Sequence, residues 1–356
     1  MARKSCFLFL AMVIGLSLCM PIQSVLAQEP LYKGKSLRFL VNFPAGGATD
    51  VVARLTAMYL PKHIAGNPTV VVQNMPGGGG NIGANYVYEI AKPDGLTVGV
   101  FSGGYLPQIL GGSGVRFDLN SMPIIAGVGE TSVVYIRTDT GVKVASDILK
   151  PLKPIVIGGF TRESNKDLAL RMALDLLGVP YRYVTGYAGE ADLRLAVQRG
   201  EINYTSEGLT GYTMGAALLA REGTVVPIYQ DGLAGPDGLI VRDPRIDLPS
   251  FREFFRTVKG ADLSGPLGEA FKISSAVRSM GRFVVAPPKT PGTVVEILRR
   301  GFRDTFEDPV FKAEAGRVLG YQLVTFVGDD AEKVNAAVFR FATGPVRDAL
   351  KKMTQE

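Results

Sequence analysis

A run of glycines at residues 75–85, MPGGGGNIGAN, is the part of the sequence most suggestive of ligand chemistry. Residues 78–83 satisfy the G-x-G-x-x-G pattern of dinucleotide-binding loops. A dinucleotide site also needs an acidic residue at the end of the next strand to hold the ribose. The next predicted strand ends in Phe101-Ser102 without one, so a nucleotide is disfavoured. An anion site or a plain turn remains as the explanation of the glycines.

A second glycine segment, PAGGATD at residues 44–50, strengthens the anion interpretation. It follows a predicted strand over 36–41 and opens a predicted helix, and the run at 78–83 has the same setting after a strand over 69–72. Bare N–H groups and helix N-termini at the ends of parallel strands can bind an anion without a charged side chain. The predicted contacts are Ala45, Gly46, Gly47, Ala48, Thr49, Asp50, Gly78, Gly79, Gly80, Asn81 and Gly83, with Ser102 at the end of a third strand.

Cysteine and histidine are too scarce for most catalytic and metal sites. Cys6 and Cys19 both lie within the first 27 residues, which are predicted below to be a signal peptide that is removed. His63 is the single histidine. Thiol nucleophiles, most zinc sites and, unless His63 is the base, a Ser-His-Asp triad are therefore excluded. An enzyme would have to use carboxylates, and the candidates are Asp50, Glu163 and Glu207. Each has a simpler interpretation, as a helix cap or a solvated loop acid, so we predict a protein that is not an enzyme and has no metal or cofactor.

The first 27 residues have the layout of a secretory signal peptide. Arg3 and Lys4 precede an apolar run over 6–20, Pro21 interrupts it, and small residues follow up to Ala27. The run is too short for a membrane anchor. We therefore predict export to the periplasm with cleavage near Ala27.

Composition excludes a nucleic-acid-binding protein. The 356 residues carry a formal net charge of +6, tryptophan is absent, and no basic run is interleaved with aromatic residues. Strand, glycine loop and helix alternate along the chain, which is typical of an α/β protein with parallel sheets covered by helices. The length allows two domains, and we expect a monomer.

Three motifs resemble those of the Bug family, the periplasmic solute-binding proteins of tripartite tricarboxylate transporters. FPAGGATD at 43–50 and NMPGGGGNIG at 74–83 are similar to the first two loops of the family, and PDG at 93–95 to its third. VVAPPKTP at 284–291 is similar to its C-terminal A-P-x-x-T-P segment. The resemblance covers residues 36–345.

The resemblance implies a two-lobed periplasmic-binding-protein fold of the Venus flytrap type (type II), each lobe a mainly parallel sheet flanked by helices. Lobe 1 would comprise residues 28–132 and 240–356, and lobe 2 residues 133–239. A small organic acid, such as a di- or tricarboxylate, would be clamped between the lobes and delivered to a membrane permease. The alternative partner is a sensor kinase.

The second lobe departs from the family pattern. GGFTRESNKDLA at 158–169 has Thr161, Glu163 and Asp167 where the family has two glycines and a histidine. Residues 255–280 resemble an insertion. The distal end of the ligand is expected to meet five residues of this lobe: Thr161, Ser164, Tyr187, Thr205 and Ser206.

Overall fold

The computed structural model describes residues 30–234, 240–341 and 344–355. The predicted signal peptide and the proposed lobe boundary at residue 239 lie outside these ranges. The strands are β1 Ser36–Val41, β2 Thr69–Asn74, β3 Thr97–Ser102, β4 Ile124–Gly129, β5 Ser132–Arg137, β6 Ile155–Gly158, β7 Tyr181–Val184, β8 Tyr204–Gly208, β9 Val225–Gln230, β10 Leu233–Ala234, β11 Ile240–Val241, β12 Arg282–Val285 and β13 Val324–Val327.

Helices cover both faces of the sheets. They are α1 Ala48–Tyr59, α2 Asn81–Glu89, α3 Tyr105–Leu110, α4 Asn165–Leu177, α5 Glu190–Arg199, α6 Leu209–Gly211, α7 Ala217–Arg221, α8 Phe251–Lys259, α9 Gly265–Ser279, α10 Gly292–Glu307, α11 Pro309–Leu319, α12 Asp329–Phe341 and α13 Gly344–Gln355.

The first sheet has the strand order β13-β4-β12-β3-β1-β2. Its parallel part is β1, β2 and β3, the strands that carry the glycine loops. β12 enters antiparallel between β3 and β4, and β13 is antiparallel to β4. The sheet is therefore mixed, because a strand from late in the chain returns between two early ones.

The second sheet repeats this arrangement, with the order β7-β6-β8-β5-β9. β6 is parallel to β7 and β8, whereas β5 lies antiparallel between β8 and β9. The chain passes from the first sheet to the second through Glu130 and Thr131, between β4 and β5. It re-enters the first sheet at β12. The proposed lobe limits at 132 and 239 remain a prediction.

Side chains along β1 alternate between the two faces of the sheet, and an apolar layer covers each face. Leu37, Phe39 and Val41 face one hydrophobic cluster, and Phe39 stacks on Phe302 of α10. Leu40 points to the opposite face and joins a second cluster. Burial on both faces is typical of parallel strands covered by helices.

The second cluster extends across both sheets. It contains Phe101 of the first sheet, Ile157 of the second, Leu168 of α4, Phe271 of α9 and Leu350 of α13. The residues that resembled an insertion fall mainly on α8 and α9. α9 packs against α4 and α13, so this segment is part of the shared core.

Candidate ligand-binding site

The first glycine loop connects β1 to α1. Gly47 occupies the N-cap position of α1 in an extended conformation, so the interpretation of Asp50 as the helix cap is wrong. Asp50 lies one turn into the helix, where its carboxylate accepts hydrogen bonds from Gly46 N at 2.8 Å, Arg54 Nε at 2.8 Å and Asn74 Nδ2 at 2.9 Å. Asp50 thus fixes the loop from behind.

These contacts also set the ionisation of Asp50. Burial disfavours its charged form, but the hydrogen bonds from Arg54, Gly46 and Asn74 outweigh burial and hold the pKa of Asp50 below its usual value. The carboxylate is therefore a permanent anchor for the loop.

The second glycine loop connects β2 to α2 and has an unusual backbone. Residues 77–80 are four consecutive glycines whose φ angles are all positive, from 59° to 119°. Side chains rarely adopt such φ values, so the turn itself requires glycine here. A Cβ on Gly80 would also overlap the side-chain amide of Asn42.

Asn42, which the sequence analysis did not single out, ties the loops together. Its Nδ2 donates to Gly80 O at 3.3 Å and to Ser102 O at 3.1 Å, and its Oδ1 accepts from Ser102 N at 3.1 Å. The ends of β1 and β3 and the glycine turn after β2 are thereby held in register.

A cavity of about 120 Å³ lies where these loops meet the second sheet. Seven of the predicted contacts line it: Ala45, Gly47, Ala48, Thr49, Gly79, Ser102 and Ser164. The loops of the two sheets touch around it. The Phe43 and Phe160 ring centroids are 5.5 Å apart, and a Cβ on Gly79 would lie 3.2 Å from the Thr161 side chain. The cavity is therefore shared by both sheets.

The other predicted contacts do not line the cavity. Gly78, Asn81 and Thr161 line a neighbouring groove along α2, together with Glu163. Gly46, Asp50, Gly80 and Gly83 shape the loops. Tyr187, Thr205 and Ser206 belong to the second sheet and its loops, outside the cavity wall.

On the second sheet, Ser164 and Asp167 organise the loop before α4. Ser164 caps the helix by accepting a hydrogen bond from Asp167 N at 3.3 Å. The Asp167 carboxylate is fully buried and accepts from Phe160 N at 2.6 Å and Tyr183 OH at 2.8 Å. Asp167, which stands where the resembled family has histidine, thus holds its own loop.

Three cationic side chains that were not predicted from the sequence also line the cavity. They are Lys166 of α4, Arg278 in the last turn of α9 and Arg282 at the start of β12. Lys166 Nζ donates to Gly158 O at 3.1 Å and lies 4.7 Å from the Phe160 ring centroid. Local sequence carries no signal for Arg278 or Arg282, since only the long return of the chain brings them to the loops.

Two glutamates also line the cavity. Glu130, in the connection between the sheets, pairs with Arg282 Nη1 at 2.5 Å and accepts from Thr210 N at 2.5 Å and Tyr321 OH at 3.1 Å. Glu190 begins α5 and accepts from Gly208 N at 2.8 Å. Burial, together with the nearby Glu207 carboxylate, raises the pKa of Glu190 to about 7.

The three carboxylates considered from the sequence as enzyme candidates, Asp50, Glu163 and Glu207, do not meet at the cavity. Asp50 anchors its loop, and Glu163 lies in the neighbouring groove. Glu207 is fully buried, where Arg194 binds it at 3.0 and 2.6 Å and Tyr135 OH at 2.7 Å. Within residues 30–234, 240–341 and 344–355, no cluster of three potential metal ligands occurs, and no helix is long and apolar enough to cross a membrane.

Comparison with curated proteins finds distant relatives. No family model matches the chain. It is 27% identical to a UPF0065 protein of Pseudomonas sp. (strain P51) over 47% of the chain and 53% of that protein. A UPF0065 protein of Bordetella pertussis is 23% identical over 86% of both chains. Protein BugT of the same organism is 43% identical, over 19% of this chain and 20% of its own. The chain thus spans about half the length of the first of these relatives.

Solved structures match over nearly the whole fold. The periplasmic binding protein BugD has a TM-score of 0.66 at 23% identity, with 87% of this chain and 96% of BugD covered. MatC of Rhodopseudomonas palustris with bound malate has a TM-score of 0.63 at 18% identity, covering 90% and 99%. An R. palustris protein with adipate has a TM-score of 0.63 at 20% identity, covering 90% and 97%. The relatives and neighbours fit the Bug family, which confirms the predicted resemblance and the two-lobed α/β class.

Proposed function

We propose that this chain, which fits the Bug family of periplasmic solute-binding proteins, captures a small carboxylate in the cavity between its two sheets. Malate and adipate are bound by two proteins of the same fold, and the loops of this chain offer the donors that such acids need. The proposal includes export to the periplasm and delivery of the acid to a membrane permease of the tripartite tricarboxylate transporter type.

The observation that carries the proposal is the position of the α1 N-terminus. Ala48 and Thr49, in the first turn of α1, line the cavity, and Thr49 adds a buried hydroxyl. First-turn N–H groups have no acceptor within their own helix, and the helix dipole favours an anion near them. We therefore propose that one carboxylate of the ligand binds here, between the N-terminus of α1 and Gly79.

The second sheet, together with α9 and β12 from late in the chain, supplies the other half of the site. Ser164 and Lys166 line the cavity from α4, and Arg278 and Arg282 line it from α9 and β12. A ligand that contacts both sides stabilises the arrangement in which the loops touch. We infer that the sheets separate to admit the acid, because the Phe43 and Phe160 rings, which come from loops of the two sheets, meet in the cavity wall.

A thermal-shift screen of the purified protein against mono-, di- and tricarboxylates and aromatic acids tests the proposal, followed by calorimetry on the acids that stabilise it. A ligand at a hundredfold excess over its dissociation constant stabilises the folded protein by about 2.7 kcal/mol. If no carboxylate raises the melting temperature, the proposed function is wrong.

The variant Thr49→Val tests the placement of the carboxylate. It replaces the hydroxyl with a methyl group of similar size. We therefore expect the free energy of binding to weaken by about 0.5–1.5 kcal/mol while the fold is retained. Thr56→Val is the matched control, since Thr56 is a buried threonine of the same helix whose Oγ1 donates to Val52 O at 2.9 Å, outside the cavity. Equal affinities of the two variants would contradict the placement.

A further inference from the structure

The cavity wall contains three buried positive charges. Lys166, Arg278 and Arg282 reach it from three elements, and their side chains are 7%, 9% and 5% exposed. Each has one acidic partner; these partners are Asp167 at 2.8 Å, Asp231 at 2.5 Å and Glu130 at 2.5 Å.

Among the described residues, part of the Arg278 guanidinium is left without an acceptor, as is Nε of Arg282, and in Arg278 this part includes a terminal nitrogen. Its Nε lies 2.5 Å from Asp231 Oδ2, and its Nη2 donates to Ser132 Oγ and lies 3.4 Å from Ser206 Oγ. Its Nη1 is buried and has no hydrogen-bond partner among the residues that the structure describes. Leaving a buried charged donor unsatisfied is unfavourable.

Ser132 contacts the other terminal nitrogen of this guanidinium, Nη2, and lines the same cavity. Its oxygen accepts from Arg278, and within the described part of the chain no group accepts a hydrogen bond from its hydroxyl. A hydroxyl can donate while it accepts. Arg278 Nη1 and Ser132 Oγ therefore offer two neighbouring donors to a ligand.

We propose that Arg278 and Ser132 form a second acid-binding subsite that makes this protein selective for dicarboxylates. A carboxylate has two oxygens and matches a guanidinium better than a hydroxyl or an amide does, since both partners are charged. The inference rests on the proposed function, in which the first carboxylate of the ligand occupies the α1 N-terminus.

The packing of α9 shows that Arg278 is held in place. Asn165 Nδ2 of α4 donates to Ser274 O at 2.9 Å, and Ser274 Oγ donates to Asn165 Oδ1 at 2.5 Å. Both residues are buried. Arg278 follows Ser274 by one helical turn, so the docking of α9 on α4 fixes the position from which the guanidinium reaches the cavity.

The acidic partner of Arg278 leaves room for a ligand charge. Burial raises the pKa of Asp231, although the attraction of Arg278 and Lys166 opposes this. Asp231 lies at the Nε side of the guanidinium, at 2.5 Å, so it leaves the Nη1 side to a ligand oxygen.

Calorimetry with matched pairs of acids tests the subsite in the unmodified protein. The probes are succinate, glutarate and adipate, each compared with its half-amide, which keeps one carboxylate and the chain length. We expect the best diacid to bind about ten- to hundredfold more tightly than its half-amide, the range for a charged hydrogen bond. Equal affinities within every pair would overturn the subsite.

The double variant Arg278→Met/Asp231→Asn assigns the preference to this pair without leaving a buried charge unpaired. We expect the preference for the diacid over its half-amide to fall to within about threefold. Arg245→Met/Asp243→Asn is the matched control, because that pair is 2.6 Å apart and 11% and 0% exposed but lies outside the cavity. The control should retain the preference.

The outcomes separate the two proposals. If the unmodified protein binds half-amides and monocarboxylates as tightly as diacids, the carboxylate-binding function stands and the second subsite is wrong. A preference that survives in the Arg278→Met/Asp231→Asn protein also overturns the subsite. If circular dichroism shows that this variant is unfolded, the diacid and half-amide comparison in the unmodified protein decides. Binding of none of these acids overturns the subsite, and the broader carboxylate screen then decides the proposed function separately.

Discussion

At the scale of single residues, Glu190 is the cavity group whose charge changes near neutral pH. Its pKa is raised to about 7 from an ordinary value of 4.5. Between these values the folded protein holds a proton that the unfolded chain has released. Stability should therefore fall as the pH rises from about 4.5 to 7, and level off above it.

The substitution Glu190→Gln tests this directly, because glutamine can still accept the hydrogen bond from Gly208 N. We expect it to stabilise the protein at pH 8 by about 1–3 kcal/mol relative to its effect at pH 4.5. Urea unfolding of both proteins at several pH values measures the difference. A stability difference that is the same at every pH would show that Glu190 does not titrate in this range.

At the scale of elements, the second glycine loop has to be glycine for its own geometry before any ligand is considered. Gly80→Ala would strain a backbone with a φ of +96° and displace Asn42 from Gly80 O and Ser102. We expect a loss of about 1–2 kcal/mol from the backbone and about 1–3 kcal/mol more from the broken hydrogen bonds.

Gly46→Ala is the matched control for the loop. Gly46 also has a positive φ, +76°, but a Cβ there would meet no atom within 4 Å. Its cost should be limited to the backbone strain. Urea unfolding distinguishes the two variants, and equal losses would mean that the contact with Asn42 contributes nothing.

The elements nearest the cavity were predictable because local patterns encode them. β1 was predicted over 36–41 and β2 over 69–72, and they are observed at Ser36–Val41 and Thr69–Asn74. β4 and β13 were missed. Gly127 weakens the strand signal in β4, yet glycine is needed there because the Phe326 ring of β13 occupies the place of a Cβ.

The cavity was predicted only in part, for a related reason. The α1 and Gly79 wall follows from motifs that adjoin strands, and Ser164 follows from the resemblance. Arg278 comes from a helix in the segment that departs from the family pattern, and its place depends on packing between α9 and α4. Such long-range packing leaves no local pattern in sequence.

At the scale of the whole molecule, the two sheets share more than a ligand site. One hydrophobic cluster contains side chains of both, with α4, α9 and α13 between them. Separation of the loops at the cavity has to occur while this cluster holds the sheets together. We therefore expect the proposed opening to be a rotation about the shared core, with Glu130 and Thr131 in the connection between β4 and β5.

The shared cluster has a consequence for thermal denaturation. Proteins with two independent cores commonly melt in separate steps, whereas a core common to both halves couples their unfolding. We expect the unliganded protein to show one calorimetric transition, with calorimetric and van't Hoff enthalpies in agreement. Two resolved transitions would contradict this coupling. On this account, α9 and α13 join the two lobes into a single cooperative unit, so neither lobe persists once the other has melted.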